Sequence, residues 1–156
     1  MLFVNYKSAC SWFYFTTGVI LSSTAFLKFL SAGSGVKYLE LPDPVFGFLT
    51  VHQLIIGAAV IESSVAYFLF WSKDDIVKMV LTVCLSTCFL IYRLGMHWIN
   101  PVTPCPCLGR ATDWMHIQPS TADTAMKYTL AYLLIGSYAI IFAYCLKGRR
   151  KIARNH

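Results

Sequence analysis

Apolar residues dominate four stretches of this chain, at about 11–31, 44–71, 73–99 and 121–146, and polar or glycine- and proline-containing segments separate them. Each stretch has the roughly 20 residues that a helix needs to cross the hydrocarbon layer of a bilayer. The first opens with clustered aromatics, Trp12, Phe13, Tyr14 and Phe15, and stops at Gly33-Ser34-Gly35. Asp43-Pro44 reads as an N-cap followed by proline in the first helical position, which sets the start of the second helix at Pro44. Ser72-Lys73-Asp74-Asp75 and Ser120-Thr121-Ala122-Asp123 each place an acid three residues after a serine, a capping-box pattern that opens helices three and four. Asn100-Pro101 closes the third helix, leaving a connection over 100–120, longer than compact folds carry without a purpose. The predicted fold is all-α, a single four-helix transmembrane bundle.

Composition agrees with this pattern. Of the 156 residues 57% are hydrophobic and 13% charged, against roughly 45–50% and 25% in a soluble domain, and the mean hydropathy is +0.60. Four spans leave no room for a separate soluble domain, and the apolar N-terminal run lacks a small-residue cleavage site, so it is expected to stay as a helix. The net charge of +6 does not point to nucleic acid, because five of the thirteen basic residues fall in the last ten positions. Such a tail is a topology signal or a contact for anionic lipid. Lys7, Lys73, Lys78 and the tail fall on one side of the membrane, and mainly Lys37, Arg110 and Lys127 on the other. By the positive-inside rule both termini are predicted to be cytoplasmic, and the 100–120 loop to face the periplasm or exterior of a cell (inner) membrane.

That loop holds the most distinctive chemistry, Pro104-Cys105-Pro106-Cys107-Leu108-Gly109. Two thiols one residue apart suit a small disulfide, a shared metal or a redox couple. Closing a ring of about three residues constrains the unfolded chain by roughly 1.6 kcal/mol, against about 3 for a fifteen-residue loop, so the pair is a poor structural staple. Proline inside the ring also departs from relaxed disulfide geometry, which favours easy reduction. On the outer side disulfides persist, while Cys10 and Cys145 lie near the opposite face. For a redox couple at Cys105 and Cys107, a thiol partner must therefore come from another molecule, or electrons must pass to a small carrier in the membrane. A zinc site with His97 and His116 has the right ligand types, but its spacings match no common zinc motif, and no metal is assigned.

Polar side chains inside the spans are the remaining candidates, since they are costly in hydrocarbon. Lys28, a turn before the end of span one, is expected to snorkel to the headgroups. Glu62 lies about 13 Å from the inner end of its helix, at the depth of Leu21, Ser22, Cys84, Ser137 and Tyr138. It is expected to be a buried group held by hydroxyls, with proton relay as the functional alternative. His52, about 12 Å from the outer end, reads as a core histidine or as a proton donor to the cysteine loop, and His116 lies within that loop. Arg93 stands at the level of the loop, where it can hold a thiolate, a carboxylate or a headgroup. Cys84 and Cys88 share a helix face at i and i+4 and are expected to pack in the core as free thiols.

Gly18 to Lys28, then Asp43-Pro44-Val45-Phe46-Gly47, Glu62, Tyr92-Arg93 and Cys105-Pro106-Cys107-Leu108-Gly109, in this order over nearly the whole chain, resemble the DoxX-like membrane proteins. The closest likeness is to their methylamine utilisation MauE branch, which is described as redox-associated. The resemblance implies an integral membrane helper in thiol or disulfide maturation of exported proteins. It would work with an extracytoplasmic thioredoxin-like protein or act on an exported cysteine-containing client. Two other readings stay open: a quinone-linked thiol oxidoreductase, with a membrane quinone as the one candidate cofactor, and a non-enzymatic scaffold subunit in contact with lipids. The chain is similar in outline to the four-helix disulfide-forming and vitamin K epoxide reductases, but those usually carry Cys-x-x-Cys and a second outward pair, which this chain lacks.

Overall fold

The computed structural model describes residues 2–33, 40–99 and 119–153. They form four helices, α1 (Leu2–Ala32), α2 (Val51–Trp71), α3 (Asp75–Ile99) and α4 (Pro119–Ala153), and no β-strand beyond one isolated bridge between Pro42 and Thr50. Each helix contains an apolar segment long enough to cross a bilayer: Ser8–Ala32, Val51–Trp71, Asp75–Ile99 and Asp123–Leu146. This is a multi-pass membrane protein. The helices run past the predicted spans at both termini, because hydropathy marks the part that crosses lipid and the backbone ladder continues into polar flanks.

Consecutive helices are antiparallel. His52 at the start of α2 meets Ala32 at the end of α1, and Phe70 near the end of α2 meets Phe15. Arg93 of α3 meets Asp123 of α4, and Thr87 meets Tyr138. Hence α1 ends, α2 begins, α3 ends and α4 begins at one end of the bundle, the loop end. α1 packs closely along α2, and α3 along α4, whereas α2 and α3 touch only sparsely. In the most apolar 18-residue window of each helix, 39% of the residues of α1 are buried and only 11% of those of α4, so α4 is the more peripheral of the two. Tyr14, Leu21, Val65, Ala66, Leu69 and Leu85 make the main core. Trp98 and Phe48 project at the loop end, and Trp12 and Trp71 at the other, as aromatic side chains do at membrane interfaces.

The start of α2 differs from the sequence expectation. The helix begins at Val51, not Pro44, and its N-cap is Thr50, in a complete capping box with Gln53. Asp43 instead makes a turn, its Oδ1 accepting from the backbone N–H groups of Val45 (2.9 Å) and Phe46 (3.0 Å). An aspartate before proline serves a turn as well as a helix start, and here the chain folds back. Asp43 N–H donates to the Leu49 carbonyl and Val51 N–H to that of Leu41, at 2.8 and 3.0 Å. Gly47, at φ 46°, permits the reversal. Ser72 likewise ends α2 as its C-cap, and its hydroxyl accepts from Asp74 N–H (3.2 Å), so α3 starts at Asp75 and not Lys73.

Two glycines separate close packing from open space. A Cβ at Gly136 of α4 would overlap the Phe13 ring of α1, whereas a Cβ at Gly57 of α2 would meet nothing within 4 Å. Gly136→Ala is expected to destabilise the detergent-solubilised protein by about 1–3 kcal/mol through overpacking. Gly57→Ala is expected to be neutral or to stabilise by up to about 1 kcal/mol through helix propensity. Thermal melts of the two variants check this, and equal shifts would contradict the α1–α4 packing.

Candidate functional site

Two polar centres and one groove make up the site. The first centre lies in the middle of the bundle. Thr24 and Lys28 are one helical turn apart on the α1 face that packs on α2, and Glu62 of α2 lies between them. The Lys28 ammonium donates to Glu62 Oε1, and Thr24 Oγ1 donates to Oε2 at 3.1 Å. Lys28 Nζ also sits 5.3 Å from the centroid of the Phe89 ring of α3, within range of a cation–π attraction. Lys28 and Glu62 are 4% and 1% exposed. Away from water a charge must be paired and hydrogen-bonded, and here both charges are.

Lys28 therefore does not snorkel. In a helix the Cα–Cβ bonds tilt toward the N-terminus, so a lysine near the C-terminal end leans back into the membrane and not toward the closer surface. It reaches the level of Thr24, where Glu62 waits. Glu62 is buried as expected and takes one hydroxyl, but its main partner is a cation. Ser22 bonds its own helix at the Gly18 carbonyl, and Ser137 and Tyr138 meet Ser86 and Thr87 of α3.

The second centre gathers at the loop end. Asp43, 1% exposed, accepts at Oδ2 from the Tyr92 hydroxyl (2.8 Å), and the Tyr92 ring stacks on Phe46 at a centroid distance of 6.1 Å. Next to Tyr92, Arg93 donates to the Asp123 carboxylate, which Lys127 also holds at 2.8 Å. Of the three partners proposed for Arg93, a carboxylate is the one found. The two motifs tie both connections at this end to α3, since Asp43 belongs to the α1–α2 connection and Asp123 to the first turns of α4.

His52 lies in the first turn of α2, shallower than expected because the helix starts later. Its Nε2 lies 3.3 Å from the Ala32 carbonyl at the end of α1. A carbonyl only accepts, so Nε2 carries the proton. His52 and Glu62 are not brought together. Cys105, Cys107 and His116 lie outside the described residues. Cys84 and Cys88 are free thiols as expected, but they are exposed and not packed in the core. They stand on the α3 wall of a groove of about 620 Å³ that separates α2 from α3. Thr24, Lys28 and Glu62 line the same groove, with Phe46, Tyr92 and Arg93 also on its wall.

Sequence reasoning missed Thr24, the carboxylate of Asp123 and the side chain of Asp43 as site components. A signal for the mid-bundle pair was present, since one lone cation and one lone anion occur within adjacent antiparallel spans. Lys28→Met or Glu62→Leu alone leaves the other charge buried and unpaired, and each is expected to cost about 3–5 kcal/mol. The double replacement is expected to restore much of that loss. Thermal unfolding in detergent measures both, and additive losses would contradict the pairing.

Compared with protein-family models, curated proteins and solved structures, the chain finds no match in any of the three.

Proposed function

We propose that this protein is an inner-membrane redox helper of the MauE-like type. In this reading Cys105 and Cys107 form a reversible thiol–disulfide couple that assists the maturation of exported proteins. The partner is an extracytoplasmic thioredoxin-like protein or the exported client itself, and the link to methylamine metabolism rests on the family resemblance alone. The Arg93–Asp123–Lys127 network carries the reading, because it fastens together the two helix ends that flank residues 100–118. A loop whose thiols exchange with another protein benefits from fixed stems, since pre-organised attachment lowers the ordering cost of each encounter. The Asp43–Tyr92 hydrogen bond supports the same end from the other connection.

The distribution of lysine and arginine supports cytoplasmic termini and an outward Cys-Pro-Cys loop. There the thiols face an oxidising compartment, and a second outward cysteine pair is lacking from the sequence. The groove beside Glu62 favours a second reading in which electrons pass to a membrane quinone, making the protein a quinone-linked thiol oxidoreductase.

Thiol exchange proceeds through a mixed disulfide. Replacing either Cys105 or Cys107 by serine is expected to trap a covalent adduct with the partner on non-reducing gels, with little change in fold stability. In intact spheroplasts a membrane-impermeant maleimide is expected to label Cys105 or Cys107 after reduction, and to spare Cys10 and Cys145. Wild-type function and no adduct in both single variants would reject the couple, and labelling confined to Cys10 and Cys145 would invert the topology.

A further inference from the structure

We propose that the groove between α2 and α3 is the binding site of a membrane quinone, with the quinone ring seated against Lys28, Thr24 and Glu62. Gly57 and Ile61 on α2 and Cys84 and Cys88 on α3 line the groove and are exposed. With Phe46 and Gln53, which line it and are exposed toward the loop end, they mark an open side that runs along α2 and α3 into the span. The ligand therefore arrives from the lipid phase. The groove follows α2 from Val51 to Val65, about 21 Å at the helical rise, and its volume of about 620 Å³ lies within the range that holds whole small molecules.

The position of the polar cluster selects the class of ligand. Glu62 stands about 16 Å along α2 from Val51 and about 13 Å from Trp71, near the middle of the crossing. Phospholipid headgroups stay at the interface, and an acyl chain offers nothing to an ammonium or a carboxylate. A mostly apolar molecule whose oxygens sit on a ring does offer partners there. The oxidised ring presents carbonyl oxygens, which accept from the Lys28 ammonium. The reduced ring presents hydroxyls, which donate to the Glu62 carboxylate. The cluster contains both groups, so it serves both redox forms, and Phe89, already against Lys28, supplies an aromatic wall.

The binding stands on this geometry alone, while its use in electron transfer rests on the thiol reading above. In that use the Cys105 and Cys107 thiols lose two electrons and two protons as their S–S bond forms. The two quinone carbonyl oxygens gain both and become the hydroxyls of the quinol.

Decylubiquinone titrated into the protein in phosphatidylcholine nanodiscs, followed by tryptophan quenching and corrected against empty discs, tests the site. Saturable binding is expected. Gly57→Phe, whose side chain enters the groove without meeting backbone or side chain at its Cβ, is expected to weaken it at least tenfold while the thermal melt is kept. The double variant Lys28→Met/Glu62→Leu keeps the groove and removes its polar cluster, and a similar loss is expected. No saturable binding to the wild type, or unchanged binding in the well-folded Gly57→Phe protein, overturns the proposal. Displacement by hexadecanoic acid as effective as by menadione overturns it too, since that marks an acyl-chain cleft. The Cys105→Ser/Cys107→Ser protein is expected to bind as wild type, so a failure of the thiol couple and a failure of the quinone site are read separately.

Discussion

Hydrocarbon offers no water to a polar group, and in this bundle the constraint acts most strongly on Lys28 and Glu62. Each would be prohibitive alone at mid-crossing, and together with Thr24 they form one satisfied cluster. Pairing them fixes the facing of α1 on α2, because the residues that flank the contact, Leu21, Ala25, Ala59 and Val65, are then turned into the core. Small side chains at Ala25, Ala59 and Ala66 let the two helices approach closely, as helix pairs in membranes commonly do. The ion pair supplies register, and the small residues supply the close contact. Such a pair specifies an arrangement more than it stabilises one, since an apolar replacement of both partners fills the same space without any charge to desolvate.

The loop end uses a different device. Asp43 is buried and accepts from two backbone N–H groups and from Tyr92, so one carboxylate orders a turn and joins it to α3. Arg93, on the next residue of α3, holds the first turns of α4 through Asp123, and Lys127 one turn on secures the same carboxylate. Two successive residues of α3 thus fasten the segments on either side. Surface ion pairs contribute little on their own, but Arg93 and Asp123 have side chains only 18% and 22% exposed, so solvent screens them less. These contacts hold the end of α3 to the turn before α2 and to the start of α4.

Because α1 and α2 close on one another and α3 pairs with α4, the space between α2 and α3 is left to the groove. Its apolar walls cost nothing in a bilayer, where lipid chains are as apolar as leucine, so no hydrophobic force drives α2 and α3 together. Thr24, Lys28 and Glu62 lie on its wall as a cluster satisfied within the protein. The buried Lys28–Glu62 pair thus sits beside this groove, in the part of the bundle farthest from either interface.

Much of this was legible in the sequence. Four apolar stretches fixed the helix count and the membrane class, Gly33 fixed the end of α1, and the presence of Glu62 and Arg93 in apolar surroundings marked them as paired residues. These features are local, set by hydropathy over a window and by backbone preferences of single residues. The start of α2 was misread because Asp43-Pro44 is equally a turn signal, and only the return of the chain, with Val51 bonded to Leu41, shows which was used. Lys28 was misread because sequence distance pointed to the nearer surface, while the tilt of a helical side chain pointed to Glu62. Cys84 and Cys88 were misassigned to the core because a shared helix face says nothing of what lies opposite it. Tertiary structure decided the partners of Lys28, Arg93 and Asp43, and the gap between α2 and α3, because each depends on how separate helices are placed in space.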